Sequence, residues 1–87
     1  MKVGKFYVPA TYASVTSSGW KYSDMARVTN GLAILRAESV MHRGDIEYIA
    51  VGEPFDDIAD GTEPPLYHVI VEQRIGQPNR ITFKRST

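Results

Sequence analysis

The apolar positions of this chain fall mostly into short alternating runs, the pattern of half-buried strands. In Lys5 to Ala13, Phe6, Val8, Ala10 and Tyr12 share one face of an extended segment. Pro9 cannot donate to a ladder, so this segment is expected at a sheet edge. Ser14 to Gly19 is polar, ends in glycine and reads as a loop. A short helix is predicted near residues 23–30, with Ser23 as N-cap, Asp24 in its first turn, Met25 and Val28 on its inner face, and Asn30-Gly31 ending it.

Leu32 to Arg43 satisfies two periodicities. On a helical wheel Ala33, Ile34, Ala37, Val40 and Met41 gather on one side; as a strand, Ala33, Leu35, Ala37 and Met41 alternate against Ile34, Arg36, Glu38 and His42. The next run, Asp45 to Val51, is β-like and follows directly after Arg43-Gly44, so the pair is read as a hairpin with a two-residue turn. Glu53 to Pro65 is a long acidic loop in which Phe55 and Ile58 are expected to pack down on the body. Leu66 to Ile75 holds Val69-Ile70-Val71, the strongest strand signal, and a turn at Gly76 to Asn79 leads to a closing strand, Arg80 to Arg85. Ser86 and Thr87 are expected to fray.

The resulting expectation is α+β leaning mainly β: a small antiparallel sheet of four to five strands, in two hairpins at 32–52 and 66–85, with one short helix near 23–30. Leu32 to Ile75 is the unit around which the chain is expected to be organised, with everything before it a lead-in.

Length limits the architecture to a single domain, residues 1–87. A chain of this size buries only about 60–65% of the surface exposed on unfolding, so outside support is common. There is no cysteine, which removes disulfides and thiolate metal sites. Self-association is the support still open. No apolar run approaches the roughly 18 residues of a membrane span, and Met1 to Lys5 leads into no apolar signal segment; a cytoplasmic location and no membrane partner are expected.

Net charge is zero, but it is unevenly distributed. Asp45, Glu47, Glu53, Asp56, Asp57, Asp60, Glu63 and Glu72 lie between Gly44 and Gln73 with no Lys or Arg among them. All ten basic residues lie outside that segment. Either the folded surface has two poles, or the two sets meet and cancel as cross-strand pairs.

Candidate chemistry is sparse. Asp56 and Asp60 match EF-hand positions one and five, but Ile58 and Tyr67 stand at three and twelve, where ligands are required. His42 and His68 have no metal-site spacing. Gly-x-Ser-x-Gly, a cysteine nucleophile and phosphate-binding glycine loops are all absent. Arg43-Gly44-Asp45 spells an adhesion tripeptide and is read as a turn. No catalytic residue, metal or cofactor is therefore assigned, and the chain is not expected to be an enzyme.

The reading favoured by the sequence is a non-catalytic interaction module, an adaptor or inhibitor of a partner protein; small proteins of this kind are common accessory factors of mobile elements. Its candidate surface comprises Trp20, Tyr22, Asp56, Asp57, Asp60, Tyr67, Lys84 and Arg85. The first alternative is a homo-oligomer sequestering a small charged or nucleotide-like ligand, with Trp20, Tyr22, Tyr67 and flanking arginines as its contacts. The second is a single-stranded nucleic-acid binder, suggested by basic residues interleaved with Phe6, Tyr7, Trp20, Tyr22 and Phe83.

Overall fold

A computed structural model describes residues 1–86. Five strands and two helices follow in order: β1 (Val3–Pro9), α1 (Tyr12–Ser18), α2 (Tyr22–Val28), β2 (Ala33–Val40), β3 (Asp45–Val51), β4 (Tyr67–Glu72) and β5 (Arg80–Arg85). The strands are antiparallel, as expected, but they form two sheets rather than one. The first has the order β1-β3-β2, and the second is the β4–β5 hairpin. No helix among the described residues is long and apolar enough to cross a membrane.

The organising element is β1, which corrects the expectation that residues 32–75 play that part. β1 pairs with β3 over its whole length, from Val3 opposite Val51 to Pro9 opposite Asp45. On its other side, Lys5 forms a single parallel bridge to Leu66, with its N–H donating to the Pro65 carbonyl at 2.9 Å. Both helices also pack on β1. Alternation explains this role: Phe6 and Val8 share the inward face and are buried, while Lys5 and Tyr7 point to the other face; the strand stops at Pro9, so Ala10 and Tyr12, expected on the same face, are exposed, Tyr12 at the start of α1.

The core is an aromatic cluster. The Phe6 ring lies 5.4 Å from Tyr48, 6.0 Å from Phe55 and 5.1 Å from Phe83, and Phe55 lies 4.9 Å from Tyr67. Phe55 thus packs down from the acidic loop as expected. Its entry requires Gly4: a Cβ there would stand 2.5 Å from Phe55 Cδ1 and 2.8 Å from Tyr67 Cδ1.

Four local expectations need correction. Ser14 to Gly19 is largely helical (α1), because local capping outweighs its weak propensity. Thr11 Oγ1 accepts from the Ser14 N–H at 3.2 Å, and the Thr11 N–H donates back to Ser14 Oγ at 3.1 Å. Val15 anchors the helix in the interior, and Gly19 closes it at φ 75°. The second helix begins at Tyr22, a residue before the predicted cap. Asp24, three residues after Lys21, accepts from the Lys21 N–H at 2.9 Å. The β2–β3 turn takes four residues, Met41 to Gly44, with the Gly44 N–H donating to the Val40 carbonyl at 3.0 Å. The β4–β5 connection is longer than predicted, running from Gln73 to Asn79, because the ladder ends at Glu72 opposite Arg80. Of Leu32 to Arg43, Ala33–Val40 does resolve as a strand, and Met41 to Arg43 belong to the turn. Ser86 is tied down through its N–H to the Leu66 carbonyl at 2.9 Å, whereas Thr87 lies outside the described residues.

Candidate interaction edge and aromatic cleft

The eight candidate residues do not form one site. Asp56 pairs with Arg85 at 3.0 Å, and its N–H donates to the Tyr67 hydroxyl at 2.7 Å, so these three residues hold the acidic loop against β4 and β5. Tyr67 itself is buried in the core. Asp57 receives the N-terminal ammonium, which holds its carboxyl below the usual carboxylate range. Asp60 is exposed at the loop tip, Lys84 is exposed on β5, and Tyr22 is exposed on α2. Trp20 is half-buried against the core.

The charge segregation of the sequence is largely cancelled in space. Lys2 meets Glu53 at 2.9 Å, Lys5 approaches Glu63 to 4.0 Å, and Arg43 Nε lies 3.4 Å from Asp45. With Asp56 and Asp57, five of the eight clustered acids thus have cationic partners. The contacts run mainly from strand to loop rather than from strand to strand.

Two features are built from neighbouring residues. The first is an open cleft of about 520 Å³ where β1 and β4 splay apart beyond the Lys5–Leu66 bridge. Tyr7, Trp20, Arg43, Asp45 and His68 face it. The Arg43 guanidinium lies 4.3 Å from the Tyr7 ring centroid, and the Tyr7 hydroxyl donates to Glu47 at 2.8 Å. That bond, reinforced by burial and by the Glu47 charge, raises the Tyr7 pKa. The cleft therefore offers one indole, one arginine-stacked phenol and an imidazole. Three serines of α1 line it, and their hydroxyls are engaged: Ser14 Oγ with the Gly44 carbonyl at 2.8 Å, Ser17 Oγ with the Ser14 carbonyl at 3.3 Å and Ser18 Oγ with the Val15 carbonyl at 2.8 Å.

The second feature is β2. It packs against β3, and among the described residues no other strand lies on its outer side. Ala33 to Ser39 are all exposed, with Leu35 at 59% and Ile34 at 41%. An edge strand presents a row of unpaired N–H and C=O groups along the pairing direction. The register shifts between Ile34 and Arg36, making Leu35 the extra residue of a bulge; from Arg36 opposite Ile49 to Val40 opposite Asp45 the ladder is regular. Arg36 and Glu38 share one face of that regular piece and pair with each other, while the residue across from Glu38 is Glu47, a like charge. The other outer strand, β5, carries Arg80, Lys84 and Arg85, charges that discourage pairing with a further strand.

β2 was absent from the candidate residues. The signal was there: Ile34 and Leu35 are adjacent apolar residues, and one sheet face cannot bury both. Comparison with protein-family models, with curated proteins and with solved structures finds no match.

Proposed function

We propose that this chain is a non-catalytic interaction module that recruits an extended polypeptide along the free edge of β2. The observation carrying this reading is a strand paired on one side only, exposed from Ala33 to Ser39, with two neighbouring aliphatic side chains in solvent. Strand addition to such an edge takes affinity from main-chain hydrogen bonds and specificity from alternate side chains. An adaptor or inhibitor needs nothing further: it acts by occupying another polypeptide.

The aromatic cleft supports a second reading, the binding of a small charged, ring-bearing ligand between Trp20 and the Arg43–Tyr7 stack. Nucleic-acid binding has less support. Lys2, Lys5 and Arg85 have carboxylate partners, and Phe6 is fully buried with Phe83 packed against it.

Native mass spectrometry of the protein drawn directly from its source cell tests the choice. The interaction reading expects the 9.7 kDa chain with a bound polypeptide that is lost when Ile34 and Leu35 are both changed to Lys. A small-molecule adduct without any polypeptide would transfer the function to the cleft. A chain that is bare there and also stays monomeric at high concentration would overturn both readings.

A further inference from the structure

We infer that the occupant of the β2 edge is a second copy of this chain, docked antiparallel about a two-fold axis midway between the two copies of Ala37, with Arg36 of each copy opposite Glu38 of the other. This rests on β2 being the recruiting edge and adds the partner and the register.

Geometry restricts the choices. In a two-fold antiparallel pairing that extends the sheet, the axis passes midway between the two copies of one residue, and side chains opposite each other lie on the same face. Only Arg36 to Val40 is free of the bulge. Centring on Arg36 would oppose two guanidinium groups, and centring on Glu38 would oppose two carboxylates; like charges directly opposite are destabilising. Centring on Ala37 is the arrangement that sets Arg36 against Glu38, and symmetry makes that contact twice. A small methyl group then stands at the point of closest approach. The same pairing gives Glu38, which faces Glu47 within its own sheet, a second cation.

The pairing also ends growth. A contact that uses one patch on both copies closes at two, and each chain has one such edge. At β5, Arg80, Lys84 and Arg85 would repel their own counterparts. The result is a continuous six-stranded sheet of order β1-β3-β2-β2-β3-β1, with both β4–β5 hairpins on the same side. Because the regular segment is short, association is expected to depend on concentration.

Sedimentation velocity over a range from about 1 µM to about 1 mM tests this. The expected mass rises from 9.7 kDa towards twice that value. Arg36→Glu and Glu38→Arg should each move the midpoint about tenfold or more to higher concentration, since both symmetric contacts turn from attraction to repulsion. The double variant R36E/E38R should recover the wild-type midpoint. An equimolar mixture of the two single variants should associate more tightly than either alone. Ala37→Lys, which brings two ammonium groups to the axis, should abolish association while unfolding at the same temperature as the wild type at about 1 µM, where both are monomeric. A wild-type chain that stays monomeric overturns the inference, as do single variants that associate like wild type. A different polypeptide on β2 in the native spectrum overturns the self-pairing and leaves the recruiting edge standing. A bare monomer in both experiments overturns both.

Discussion

Single side chains in this small protein are critical where space or solvent has been removed completely. Gly4 is one such position, because the Phe55 and Tyr67 rings occupy the space a side chain would need. Gly4→Ala is expected to lower stability by about 1–3 kcal/mol through overpacking, read as a lower urea midpoint with an unchanged slope. Asp24 is another. It is 2% exposed and takes both its oxygens to the Asn79 side-chain amide, at 3.1 and 3.0 Å, linking α2 to the turn before β5. Asp24→Ala should cost about 1–3 kcal/mol, because the Asn79 amide is left buried without its acceptor; thermal unfolding would show it. Tyr7 offers a test by pH. Its pKa is raised in the folded state by the bond to Glu47, so the contribution is fully present below the unfolded value of about 10 and is lost as pH rises through the higher folded value. A spectrophotometric titration should show this late ionisation of Tyr7 in the wild type. In Glu47→Gln, where the charge is gone, that lag should shrink.

Among the elements, those with a clear alternation were legible in the sequence, and those held by capping or by distant contacts were not. β1 was readable from Phe6 and Val8, β3 from its β-branched run, and β4 from Val69-Ile70-Val71. α1 was not readable, because its serine-rich sequence has poor helix propensity and its stability comes from Thr11, Ser14 and the carbonyl of Gly44. That carbonyl accepts from the Ala10 N–H at 2.9 Å, the Thr11 N–H at 3.1 Å and Ser14 Oγ at 2.8 Å, a convergence across thirty residues that no local pattern announces. Gly44 sits at φ 68°, and a Cβ on it would meet Thr11 Oγ1 at 2.6 Å. Gly44→Ala should therefore release α1 from the hairpin turn. Amide hydrogen exchange would register this as faster exchange from Tyr12 to Ser18 with β3 still protected. The candidate site was legible only in part. Exposed acids were identifiable, but their partners, Arg85, Lys2 and Lys5, come from the two ends of the chain and are placed by tertiary structure.

For the molecule as a whole, sheet order matters more than composition. Four acids of the loop, Glu53, Asp56, Asp57 and Glu63, are paired with cations from the two ends of the chain, so salt is expected to loosen that loop before it affects the core. Hydrogen exchange of residues 53–63 at low and high ionic strength would show the difference, with Phe55 remaining protected. The β2–β3 and β4–β5 hairpins are each marginal alone and meet chiefly through β1. β1 in turn has every strand partner far away in sequence. Its grip is non-covalent and extensive: a full antiparallel ladder with β3, and a phenylalanine at the centre of the aromatic cluster. A chain severed between Ala10 and Thr11 would therefore fall into two disordered pieces when they are kept apart. Mixed, they would reassemble into the native shape, so a decapeptide would act as a switch on the order of all that follows it.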